Sequence, residues 1–132
     1  MNLDLVYEEL LPHTVDAVWG VLTDAASISA WLMRTPDFQP VVGARFRLKT
    51  QRLSESGWVE AEVTELDPPT RMVWAWSVAH DAQLTTVTFE LTPEDEGTRL
   101  KLTHVGEIDP FVGTLLTEGW PGRLELLRRS LD

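Results

Sequence analysis

The chain has 132 residues, 43% of them hydrophobic and 24% charged, the make-up of one ordinary globular domain with enough length to bury a core. Its formal net charge of −10 and pI near 4.6 argue against a nucleic-acid or anionic-membrane surface as the main partner. With no cysteine, disulfides, thiolate metal sites and cysteine nucleophiles are excluded.

The acidic start, Met1 to Glu9, has no basic flank before an apolar run, so it is not a secretory signal. No apolar stretch approaches the roughly 20 residues of a membrane helix. The expected location is the cytoplasm. Leu3 to Leu11 alternates loosely and ends at Pro12, as a first strand should. Thr14 is placed to cap a helix carrying Val15, Val18, Trp19 and Leu22 at helical spacing, and Asp24 a second short helix with Ile28 and Trp31. Thr35 to Val42, with Pro36 and Pro40, reads as an irregular arm.

The period then changes to two. In Gly43 to Thr50, Phe46 and Leu48 share one face while Arg45, Arg47 and Lys49 share the other. The loop Gln51 to Gly57 makes a hairpin with Trp58 to Leu66, where Val59, Ala61 and Val63 oppose Glu60 and Glu62. After the turn Asp67-Pro68-Pro69-Thr70, the strand Arg71 to Val78 sets Met72, Trp74 and Trp76 on one face. A polar connection, Ala79 to Gln83, leads to Leu84 to Thr92 with Val87, Phe89 and Leu91 on one side. Beyond the turn at Pro93 to Gly97, Thr98 to Val105 aligns Leu100, Leu102 and His104. Such alternation in consecutive strands predicts an antiparallel meander with one wet face.

A helical stripe closes the chain: Val112, Leu116, Trp120, Leu124, Leu127 and Leu131. Pro121 lies inside it, flanked by Gly119 and Gly122, and predicts a kink or break with Trp120-Pro121 opening the last helix. No repeat, low-complexity tract or linker interrupts the plan, which predicts one domain over 1–132.

The ordered set Asp16 to Asp24, Trp31-Leu32-Met33, Val42 to Phe46, Val63 to Trp76, Thr88 to Leu91, Gly97 to Leu100, Leu102-Thr103-His104 and Gly119-Trp120 resembles the heat-shock-protein-90 ATPase activator-like family of the START-related (SRPBCC) superfamily. The resemblance covers nearly the whole chain. It implies an α+β helix-grip fold, in which a curved antiparallel sheet of about six strands wraps a long C-terminal helix and two short helices follow the first strand. It also implies a cavity for apolar or aromatic molecules between sheet and helix. The family's co-chaperone role attaches to longer proteins with a further domain before the first strand, so stimulation of a chaperone ATPase stands here as an alternative.

Six tryptophans against one tyrosine give that cavity candidate walls. Trp31, Met33, Phe38, Phe46, Leu48, Met72, Trp74, Trp76, Phe89, Trp120 and Leu124 either line a pocket for a flat or lipidic ligand or pack as an aromatic core. Trp58 belongs to the outer face or a strand end. His104 is the one polar side chain on the inner face of its strand. It is either a hydrogen-bonding anchor or general base, or a neutral core histidine bonded within the fold. His13 and His80 have no partner at metal-ligand spacing, so no metal and no cofactor is expected. Arg45, Arg47, Lys49 and Arg52 raise phosphate binding, but Glu60 and Glu62 on the same outward face predict a mutually neutralised, solvated surface.

The leading expectation is a small protein, monomer or homodimer, that holds an apolar or aromatic metabolite. The alternatives are a cyclase- or hydrolase-like enzyme using His104 and the chaperone-interaction module.

Overall fold

A computed structural model describes residues 1–78 and 84–132; the connection Ala79 to Gln83, and with it His80, lies outside the described residues. The alternating segments form six strands, β1 (Asn2–Leu11), β2 (Arg45–Lys49), β3 (Trp58–Asp67), β4 (Arg71–Ser77), β5 (Thr85–Glu94) and β6 (Gly97–Glu107). Every neighbouring pair is antiparallel, in the order β1-β6-β5-β4-β3-β2. Consecutive strands from β2 to β6 are joined edge to edge, and β1 returns to the far side of β6. Thr64 interrupts the β3–β4 register as a bulge, and its hydroxyl donates to Val73 O at 3.2 Å. A bulge of this kind increases local bending, which a sheet needs if it is to close around a helix.

Three helices cover the apolar face: α1 (Val15–Leu22), α2 (Ala25–Trp31) and α3 (Pro110–Leu131). Each starts on a side-chain cap, as the sequence predicts for the first two. Thr14 Oγ1 accepts from Ala17 N at 3.2 Å, Asp24 Oδ2 from Ser27 N at 3.0 Å, and Asp109 Oδ2 from Phe111 N and Val112 N at 3.0 and 3.2 Å. The architecture is the α+β helix-grip arrangement, with two short helices after the first strand and a long one at the end.

One expectation fails at Pro121. The helix does not open at Trp120-Pro121; α3 continues through it from Pro110. Proline cannot donate to Thr117 O, and the Tyr7 hydroxyl reaches that carbonyl from β1 at 3.5 Å. Leu116, Trp120, Leu124 and Leu127 are buried on both sides of the proline, and Arg128 pairs with Glu9 of β1. Tertiary packing therefore outweighs a local cost of about 3 kcal/mol.

The core is aromatic around Trp74. Trp74 lies among Phe46, Phe89 and Phe38, with ring centroids at 5.0, 4.8 and 5.9 Å. Phe38 comes from the irregular arm and meets Phe46 edge-on at 4.9 Å, so the arm is tacked onto the core. Trp31 of α2 stands edge-on to Phe89 at 6.3 Å and donates its indole N–H to Val21 O of α1 at 2.9 Å. The T-shaped pairs among these each add about 0.5–1.5 kcal/mol beyond the burial of area, while Phe38 and Trp74 meet tilted at 58°.

Candidate ligand-binding cleft

Beside this core a cleft of about 510 Å³ opens between α2, the end of β2 and α3. Ser29, Leu32, Met33 and Arg34 form one wall, and Lys49, Thr50, Gln51, Arg52 and Leu53 a second. Leu115, Leu116, Gly119, Trp120 and Arg123 of α3 form the third, with Trp76 of β4 beneath. Leu32, Thr50, Trp76, Leu116 and Trp120 are buried, whereas Arg34, Lys49, Gln51, Arg52, Gly119 and Arg123 are exposed. The cleft thus has an apolar floor with two indoles and a polar, basic rim. Its volume falls within the roughly 300–1,000 Å³ usual for small-molecule sites.

Local structure explains the second wall. The strand stops at Lys49, whose N–H donates to Arg34 O at 2.9 Å and ties the wall to the segment after α2. Thr50 Oγ1 accepts from Leu53 N at 3.1 Å and from Arg52 N at 3.4 Å. That side-chain turn folds Arg52 and Leu53 toward the cleft instead of leaving them on the outer face.

Behind the floor runs a buried hydrogen-bonded chain. The indole N–H of Trp120 donates to His104 Nδ1 at 3.1 Å. An indole can only donate, so Nδ1 accepts and the ring proton sits on Nε2. Nε2 in turn lies 2.7 Å from Thr85 Oγ1, which donates on to Trp76 O at 3.5 Å. The Trp76 and Trp120 rings flank the imidazole with centroids at 5.1 and 5.9 Å. Burial pushes the His104 pKa down from 6.5 to about 4, so the ring is neutral at pH 7. Both nitrogens are engaged within the fold. The arrangement fastens α3 to the sheet and leaves His104 no free lone pair with which to take a proton from a substrate.

Of the residues singled out in the sequence, Met33, Trp76 and Trp120 line the cleft. Trp31, Phe38, Phe46, Leu48, Met72, Trp74, Phe89 and Leu124 are buried in the core cluster, outside the cleft lining. His104 sits behind Trp76 and Trp120. On the outer face Arg45 pairs with Glu62 at 3.2 Å as expected, but Arg47 turns to Asp37 at 3.8 Å and lies over Trp58 at 4.4 Å. Lys49 lies over the same Trp58 ring, its Nζ at 4.9 Å, and Arg52 is not neutralised there by Glu60 or Glu62; both residues are among those lining the cleft. Arg34, Leu53, Gly119 and Arg123 are cleft residues that strand-by-strand reading passes over. A helical signal for two of them exists: Leu116, Gly119, Trp120 and Arg123 are spaced to share one side of α3. Among the described residues no cluster of His, Asp and Glu could hold a metal ion, and no helix is long and apolar enough to cross a membrane.

A curved antiparallel sheet gripping a long terminal helix, with a cleft between them at one end, defines a helix-grip protein. This chain belongs to the Activator of Hsp90 ATPase homolog 1-like protein family, whose model matches residues 12–132. Among solved structures, MLL2253 of Mesorhizobium loti is 30% identical, with a TM-score of 0.84 over 98% of this chain and 96% of that one. BH1534 of Bacillus halodurans is 22% identical with a TM-score of 0.81 over the whole of both chains. CalU16 of Micromonospora echinospora is 22% identical with a TM-score of 0.79 over 98% of this chain and 76% of that one. The last two likenesses establish the fold alone. No curated protein matches the chain.

Proposed function

We propose that the chain, folding as one domain over 1–132, binds an apolar or aromatic small molecule in this cleft. The observation that carries the reading is the floor: Trp76 and Trp120 form the base of a 510 Å³ recess, while most other inner-face aromatics are spent on packing one another. The Trp76 indole N–H is buried without a partner among the described residues, at a cost of about 1–3 kcal/mol that packing around it must offset. The family's name describes ATPase activation, but the apolar floor favours the ligand reading.

The test is titration with N-phenyl-1-naphthylamine, a neutral aromatic probe whose emission rises on leaving water. A Cβ added at Gly119 meets nothing within 4 Å, so Gly119→Leu fills the cleft without disturbing the core. We expect saturable binding to the parent protein and its loss in Gly119→Leu at unchanged circular dichroism. Absence of saturation, or binding indifferent to Gly119→Leu, would refute the proposal.

A further inference from the structure

The distribution of basic residues carries the reading of the cleft further. The chain has 11 lysines and arginines against 21 acidic residues. Arg45, Arg47, Arg71, Arg99, Arg128 and Arg129 each make an ion pair with a carboxylate. The five that make none with a described residue are Arg34, Lys49, Arg52, Lys101 and Arg123, and all but Lys101 line the cleft. No acidic residue is among the described lining residues. With acids outnumbering bases two to one, unpaired cations scattered at random would not collect on one rim.

They also come from separate elements: Arg34 follows α2, Arg52 is held by the Thr50 turn, and Arg123 lies one turn after Gly119 on α3, while Lys49 ends β2 with its Nζ over Trp58 at 4.9 Å. Like charges converging on a concave, apolar-floored recess repel one another and focus a positive potential into it. A bound anion would turn that repulsion into attraction. The field of the whole molecule, at −10, opposes a polyanion approaching from outside, whereas a small anion inside the recess lies within a Debye length of about 8 Å of the rim.

We infer that the ligand is an amphipathic anion, its apolar body over Trp76 and Trp120 and its carboxylate, sulfonate or phosphate group at the rim formed by Arg34, Arg52 and Arg123. This rests on the cleft being a ligand site and adds the charge of the ligand. Guanidinium groups suit such heads because they present parallel N–H donors to two oxygens at once.

The experiment compares N-phenyl-1-naphthylamine with 8-anilinonaphthalene-1-sulfonate, which share an aromatic body and differ by one sulfonate. The anionic probe should bind at least about tenfold more tightly at low salt, the worth of one good charge-assisted contact. Added salt should weaken it and leave the neutral probe unchanged. Arg34→Gln combined with Arg123→Gln should remove about tenfold of the anion's affinity and shift the neutral probe less than about twofold. Arg52→Gln should repeat the pattern from the opposite wall, and Lys101→Gln should affect neither probe. Displacement by decanoate, decyl phosphate and decanol identifies the head: either anion outcompeting decanol supports the inference, and the better of the two names the group.

If both probes bind with equal affinity, if the charge variants weaken both alike, or if decanol displaces as well as the anions, the inference is overturned while the cleft stands as a ligand site. If neither probe saturates, the inference and the ligand-site reading fall together.

Discussion

His104 offers the most quantitative check on the way this fold is held. It is wholly buried and neutral, its Nδ1 accepting from Trp120 and its Nε2 engaged by Thr85. In the unfolded chain the imidazole takes up a proton near pH 6.5, whereas in the folded protein it does so only near pH 4. Between those values the unfolded state binds more protons, so acid favours unfolding. The contribution is complete above pH 6.5 and disappears as the pH falls through 4. The full gap is worth about 3 kcal/mol, with about 1 kcal/mol gone by pH 5.5 and between about 2 and 3 by pH 4.5. Protonation also places a new N–H at Nδ1, facing the Trp120 N–H, so the link from α3 to the sheet becomes a meeting of two donors.

Urea unfolding of the parent and of His104→Gln, measured from pH 7.5 to 4.5, isolates this residue, because the carboxylates titrate in both proteins. At pH 7.5 the variant should be less stable by about 1–3 kcal/mol, for its mismatched buried hydrogen bonds. That difference should shrink as the pH falls and approach zero or reverse near pH 4.5. Nuclear magnetic resonance should show a His104 ring that does not titrate above pH 5. A difference independent of pH, or an imidazole titrating near 6.5, would show that His104 is not sealed behind Trp76 and Trp120.

Two further perturbations test the packing account. Pro121→Ala should raise stability by about 1 kcal/mol or more by restoring a donor to Thr117 O, and Tyr7→Phe, which costs up to about 1 kcal/mol in the parent, should be nearly neutral in that background; additive effects in a double-mutant cycle would exclude the Tyr7–Thr117 contact. Trp74→Ala should cost about 3–5 kcal/mol in urea unfolding because three aromatic rings lose their common neighbour, whereas a cost below about 1 kcal/mol would mean that the aromatic cluster is loosely packed.

The strands and caps were readable because their signals are local: alternation fixes which face a side chain takes, and Thr14 and Asp24 bond within their own first turns. Alternation gives direction without depth. It placed Trp74 and Trp76 together on the inner face, but only the positions of Phe38 and Phe89 decide that Trp74 is enclosed by rings, and only Gly119 and Arg123 of α3 decide that a cleft lies above the buried Trp76. The continuity of α3 was hidden for a similar reason. Proline announces its cost locally, while Tyr7, which answers it, lies 110 residues away from Thr117. Arg52 misled because the period of the strand was carried past its end at Lys49. The chain turns at Thr50, and beyond a turn the two-residue rule no longer assigns faces.

The departures from local rules are concentrated rather than spread. Among the described residues, a titratable side chain without exposure, an indole N–H without a partner, a glycine inside a helix and three arginines without carboxylates lie around Trp76 and Trp120. Each is unfavourable on its own account. Trp74 shares the unpartnered N–H but is otherwise packed as a stabilising core demands. A sequence shaped for stability alone would place a larger side chain at Gly119 and carboxylates opposite Arg34 and Arg123, and nothing within 4 Å of the Gly119 Cβ position prevents the first. Locally inconsistent choices gathered at one end of an otherwise consistent fold are what a binding site leaves behind. The Trp74 end of the inner face is thus packed for stability, and the Trp76 end is where we place the proposed ligand, two residues apart on one strand.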